Sequence, residues 1–133
     1  MRFIALLAAL LATSARAATL APQALSLGGV TPTYNAAAAG GDTFVNDGRT
    51  YLHLKNGSGA AITVTIAAVP SFADNALGDV TLPNSAITVP AGGEKLVGIL
   101  PPSRFNDVNG RANLSYSGVT SLGVAVIRTG KVY

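Results

Sequence analysis

Apolar and polar residues alternate with a period of two along much of this chain, the pattern of half-buried β-strands. The alternation is clearest from Thr50 to Lys55, where Leu52 and Leu54 point one way and Tyr51, His53 and Lys55 the other. It recurs from Ala61 to Ala68, with Ile62, Val64 and Ile66 set against Thr63, Thr65 and Ala67. Asn56-Gly57-Ser58-Gly59 between them is a turn, because Asn and Gly tolerate positive φ. Together these predict a β-hairpin. Val80 to Leu82 and Ala86 to Val89 read as short strands separated by Pro83-Asn84. Glu94 to Leu100 carries apolar groups on both faces, which predicts a central strand, and Pro101-Pro102 stops it. Arg111 to Ser117 puts Ala112, Leu114 and Tyr116 on one face, and Leu122 to Arg128 is the last strand before a frayed tail.

The segments between strands carry turn chemistry: Pro90 to Gly93, Asn106 to Gly110 and Gly118 to Ser121. Ala36 to Ala39 is rich in the best helix former, but four residues cannot sustain a helix, and Gly40-Gly41 follows. No alternation of strand with helix suggests a parallel sheet. The expected fold is all-β: a single antiparallel β-sandwich or jelly-roll-like domain over residues 36–133. Residues 18–35 read as an extended N-terminal arm with at most one short strand, since Pro22 and Pro32 forbid a regular helix. Its apolar residues are too widely spaced to form a core of their own. Leu20, Leu25, Leu27, Val30 and Tyr34 are therefore the candidate partner-binding residues, suited to pairing with a neighbour's sheet edge, unless the arm folds back as an edge strand of its own sandwich.

Length and charge narrow the picture. The 133 residues provide one domain and one core. Charged residues make up 11% of the chain, against about 25% in an average soluble protein. Such a surface suits an ordinary β-domain first, and second one kept uncharged because neighbours pack against it. The net charge of +3 is mostly a terminal effect, because Arg2 and Arg16 lie in the first 17 residues. No Lys/Arg cluster marks a nucleic-acid footprint. The absence of cysteine removes disulfides, thiolate catalysis and Cys-based metal sites.

Residues 1–17, MRFIALLAALLATSARA, have the form of a secretory signal: a single Arg, a ten-residue apolar stretch and an Ala15-Arg16-Ala17 site, with cleavage expected before Ala18. The stretch is too short for a stable membrane span. The alternative is an upstream extension from a wrong start.

Chemistry is sparse. His53 is the only histidine, on a polar strand face, with no nucleophile or ligand set at useful spacing. Asn46-Asp47-Gly48 and Asp107-Val108-Asn109-Gly110 resemble fragments of a calcium loop but lack its further ligands and closing Glu. Both read as turns. Asn56-Gly57-Ser58 and Asn113-Leu114-Ser115 match the glycosylation tripeptide, a short pattern frequent by chance. No enzyme motif, cofactor site, metal site or small-molecule substrate site is expected.

Several stretches carry a resemblance: Gly41-Asp42-Thr43-Phe44, Asn46-Asp47-Gly48-Arg49-Thr50, Leu54-Lys55-Asn56-Gly57, Pro90-Ala91-Gly92-Gly93-Glu94 and Tyr116-Ser117-Gly118-Val119-Thr120. Over residues 18–128 the chain resembles the small β-sandwich proteins that decorate or cement tailed-phage capsids. The resemblance implies a virion structural protein on the capsid surface. Its partners would be the major capsid protein, copies of itself, or both. The signal-like segment points elsewhere, to an exported adhesin-like or carbohydrate-binding module that is secreted or periplasmic.

Overall fold

The structure is a computed structural model that describes residues 17–69, 73–74, 78–79 and 82–130. Residues 1–16 of the expected signal, residues 80–81 of the expected strand at Val80–Leu82 and the last three residues of the tail lie outside the described residues.

Two five-stranded sheets face each other. The first has the order β1 (Ala18–Leu20), β4 (Asp42–Val45), β11 (Arg111–Tyr116), β6 (Ile62–Ile66) and β9 (Ser85–Val89). The second runs β10 (Glu94–Val97), β5 (Thr50–Asn56), β12 (Leu122–Arg128) and β2 (Gln23–Ala24), with β3 (Asn35–Ala36) also paired to β12. A two-residue ladder, β7 (Ala73–Asp74) with β8 (Gly78–Asp79), lies apart. The alternating residues read from the sequence, Leu52, Leu54, Val64 and Ile66, are buried between the sheets, and Phe44, Val124 and Val126 join them there from strands whose inward face the sequence reading does not assign. The β-sandwich expectation therefore holds.

The hairpin expectation does not. β5 and β6 belong to different sheets: β5 pairs with β10 and β12, and β6 with β9 and β11. A hairpin would place Leu52, Leu54, Ile62, Val64 and Ile66 on one face of one sheet. An arch places them face to face, so each row is buried against the other. The five residues 57–61 are long enough to cross the roughly 10 Å between sheets. Asn56 fixes the arch from inside. Its Nδ2 donates to the carbonyls of Ala60 (2.8 Å), Val89 (3.1 Å) and Pro90 (3.2 Å), and its Oδ1 accepts from the Ser58 amide (3.0 Å) and hydroxyl (2.7 Å).

The expected central strand Glu94–Leu100 is instead a short edge strand that ends at Val97. Its two-sided apolar pattern came from Leu96 and Ile99, which are 69% and 56% exposed. The two prolines do end the strand, but Pro102 also opens a single helical turn, α1 (Pro102–Phe105). Proline is well suited to the first helical position, where its missing N–H is not needed.

The arm folds back onto its own sandwich, the alternative to pairing with a neighbour. Residues 18–36 contribute strands to both sheets. β1 adds to β4 in parallel, β2 adds to β12 in parallel, and β3 runs antiparallel to β12. Both sheets are thereby mixed, although every pairing among β4, β5, β6, β9, β10, β11 and β12 is antiparallel. The arm closes one side of the sandwich. On the other side, β9 and β10 remain as edges.

Candidate functional site

The outer face of the second sheet carries one polar cluster. His53 points outward from β5, and its Nδ1 lies 2.6 Å from the Tyr34 hydroxyl. Its Nε2 lies 3.1 Å from Glu94 Oε2. The Tyr34 and His53 rings meet edge-on at 5.4 Å, and Lys55 Nζ sits 4.4 Å from the centre of the Tyr34 ring. With its proton on Nε2, the imidazole donates to Glu94 and accepts from Tyr34, so both ring nitrogens and the Tyr34 hydroxyl have partners. Gly123 on β12 makes room for this, because a Cβ there would come within 3.3 Å of the Tyr34 Cβ. The arrangement seats the arm on the sheet. Among the described residues, Lys55 and Glu94 of this cluster line a shallow surface cleft with Asn56, Gly57, Gly92 and Gly93, and His53 and Tyr34 do not line it. Among the described residues, no three His, Cys, Asp or Glu side chains converge as metal ligands would.

A second feature lies at one end of the sandwich. β4, β6, β10 and β12 finish there and β5, β9 and β11 begin there, so it is called the Arg128 end. Of the six large apolar residues exposed among the described ones, only Leu96 is elsewhere. Leu25 and Leu27 sit in the arm loop beyond β2, Val45 closes β4, Ile99 follows β10, and Val108 tips the loop before β11. Leu27 and Val108 are fully exposed.

The loops at this end are tied together. Asn46 is buried, and its Nδ2 donates to the Leu100 carbonyl (3.1 Å) and to Asn106 Oδ1 (2.8 Å). Asn106 Nδ2 returns a bond to the Asn46 carbonyl (2.7 Å). Asp47 Oδ2 receives Arg128 at 2.6 Å and Arg49 at 3.1 Å. Partial burial works against ionisation of Asp47. The hydrogen bonds from Arg128 and from the Arg49 backbone and side chain outweigh it, holding the carboxyl below its ordinary range. The Asp107 carboxyl is also held low, first by the Asn113 side-chain amide (3.1 Å) and then by the Arg111 backbone amide (3.1 Å). Both fragments that resemble calcium loops thus spend their carboxylates on turn bonds and on arginines. The two glycosylation-like asparagines are likewise engaged, Asn56 inside its arch and Asn113 on Asp107.

The candidate partner residues of the arm separate into two groups. Leu20 is 4% exposed and belongs to the core, so its place among surface residues is corrected. Tyr34 is half-buried in the His53 cluster, and Val30 is half-buried. Only Leu25 and Leu27 project from the Arg128 end. Sequence reasoning missed Val45, Ile99 and Val108 there. Each sits at a strand end or loop tip, and the signal available was an apolar residue inside a turn segment, as in Asp107-Val108-Asn109-Gly110.

No family, curated protein or solved structure compared with this chain matches it.

Proposed function

We propose that this protein is a non-enzymatic structural module that docks on an assembled protein lattice, with the capsid of a tailed phage as that lattice. The observation that carries the reading is the gathering of Leu25, Leu27, Val45, Ile99 and Val108 at one end of the sandwich, where Asn46 and Asn106 tie the loops of Val45, Ile99 and Val108 together and the Leu25 amide bonds the Arg128 carbonyl. A monomer gains nothing by exposing them together, and apolar groups concentrated on a rigid surface are what a protein interface uses. The low charge of the chain fits the same use. Binding that recognises only the assembled lattice stabilises it by mass action, by about 2.7 kcal/mol at a hundredfold excess over Kd. The test is co-sedimentation of the full chain with capsids purified from producing cells, beside unassembled capsid subunits. Sedimentation with capsids alone is expected. Its absence would sink the proposal.

The exported module remains as a second reading, favoured by one observation. The first strand starts at Ala18, the residue that signal cleavage would expose, and its amide donates to the Gly41 carbonyl at 3.2 Å. The N-terminal residue of the natural protein separates the two. Ala18 supports export, whereas Met1 or an internal start supports the virion.

A further inference from the structure

We infer that Asn109 is a modification site: in the folded protein it loses its side-chain amide by spontaneous ring closure with the Gly110 nitrogen, and water opens the resulting succinimide to aspartate or isoaspartate. The inference goes beyond the docking reading and does not depend on it. By sequence, three positions offer this chemistry, because an Asn or Asp side chain precedes a glycine at Asp47-Gly48, Asn56-Gly57 and Asn109-Gly110. Glycine favours the reaction. It has no Cβ to hinder the approach of its nitrogen to the side-chain carbon, and its backbone reaches the torsions that ring closure needs.

The fold closes two of the three positions. Asn56 is buried, with its Nδ2 bonded to three carbonyls and its Oδ1 to Ser58. The Gly57 N–H donates to the Ser121 carbonyl at 2.9 Å. Neither the side chain nor that nitrogen can turn toward the other without opening the arch. Asp47 is held by Arg49 and Arg128, which favour its ionised form. Ring closure at an aspartate needs the protonated acid, whose hydroxyl leaves as water, so a carboxylate kept ionised is a poor electrophile.

Asn109 lies open. It follows Val108 at the tip of the loop before β11 and is exposed. Its backbone N–H donates to Asp107 Oδ1 at 2.9 Å, and among the described residues its side chain makes no hydrogen bond. The Gly110 N–H donates to the Asp107 carbonyl at 3.0 Å across an exposed turn, and such turns open with little free energy. Gly110 has φ +72°, and among the described residues nothing lies within 4 Å of where its Cβ would be. In the reaction the Gly110 nitrogen gives up its proton and bonds to Asn109 Cγ. The Cγ–Nδ2 bond breaks and Nδ2 leaves as ammonia. Water then adds to either ring carbonyl, and the ring bond that is cleaved decides between aspartate and isoaspartate. Either product places a carboxylate beside Asp107 in the loop that carries Val108, and isoaspartate also lengthens the backbone there.

The experiment incubates the purified protein in warm, mildly alkaline buffer over several weeks, beside the same protein in guanidinium chloride. Mass spectrometry follows the peptides of Asp47, Asn56 and Asn109, with electron-transfer fragmentation to tell isoaspartate from aspartate. In denaturant both asparagines are expected to convert at similar rates, since each precedes glycine. In the folded protein Asn109 should keep a rate within several-fold of its denatured one, while Asn56 slows by about a hundredfold or more. Asn109→Gln, which closes to a larger ring far more slowly, should remove most of the acidic variant that accumulates on isoelectric focusing. Conversion of Asn56 as fast as Asn109 in the folded protein overturns the inference. So does isoaspartate at Asp47 ahead of Asn109, an acidic variant that persists undiminished in Asn109→Gln, or an Asn109 peptide that stays intact while the protein is folded.

Discussion

Asp42 and Tyr116 show how single residues set the stability of this fold. Asp42 is buried at the start of β4, and its Oδ2 accepts from the Tyr116 hydroxyl at 2.5 Å and from the Ala38 amide at 3.2 Å. Burial, then the hydrogen bond and charge of Asp42, push the Tyr116 hydroxyl above the ordinary phenol range. Removing the hydroxyl leaves that buried oxygen with only the longer bond from the Ala38 amide, so Tyr116→Phe should lower stability by about 1–3 kcal/mol in denaturant titration. The pH dependence follows from the direction of the shift. A phenol whose folded pKa is raised contributes stability below its unfolded value of about 10 and loses it as pH rises further. Stability should therefore fall in strong alkali, and Tyr116→Phe should flatten that fall. Asp47 and Asp107 act with the opposite sign. Their folded values are depressed, so their contribution is present above the unfolded carboxylate value of about 3.9 and lost as pH drops through the folded values. Melting curves taken from about pH 5 down to about pH 2 should show a smaller loss of Tm in Asp107→Asn than in the parent.

At the scale of elements, the arch and the arm decide the topology. Asn56 binds three carbonyls that no water replaces without opening the sandwich end, so Asn56→Ala should cost more than about 2 kcal/mol. The arm belongs to both sheets, and the same residue type has opposite roles within it. Leu20 lies beside Phe44 of β4 in the core, whereas Leu27 projects from the loop. Leu20→Ala should destabilise by about 2–5 kcal/mol. Leu27→Ala should change stability by less than about 0.5 kcal/mol, and any loss of capsid co-sedimentation it causes would then belong to docking. Deleting residues 18–30 removes β1 and β2 and should lower Tm as well as binding.

At the scale of the molecule, the sandwich separates support from contact. One side is closed by the arm, the outer face of the second sheet seats Tyr34 on His53, and the Arg128 end presents apolar tips among arginines. A docking surface of that composition depends on charge as well as area. Capsid co-sedimentation should weaken as salt rises from about 0.05 to about 0.5 M, where exposed ion pairs are progressively screened. Salt-independent binding would mean that the arginines take no part. His53→Ala should loosen the arm by about 1 kcal/mol and leave sedimentation largely intact, because the His53 cluster is on the outer face of the second sheet and not at the Arg128 end.

The amino-acid sequence by itself determined the all-β class, most strand positions and the turns, because these depend on a local period of two and on residues that tolerate turn geometry. It also determined which face of β5, β6 and β11 turns inward. Which strands pair was decided only in the folded chain. Leu52–Leu54 and Ile62–Ile66 alternate identically in a hairpin and in an arch, and only the claims of β10, β12, β9 and β11 on their edges choose between the two. The same holds for the site. Leu20 and Leu27, or Leu96 and Leu54, are chemically identical residues, and a position in a sheet, at its edge or on a loop tip decides which is buried and which is exposed. The clustering of Val45, Ile99, Val108, Arg49 and Arg128 joins residues far apart in the chain, so no local pattern could have announced it.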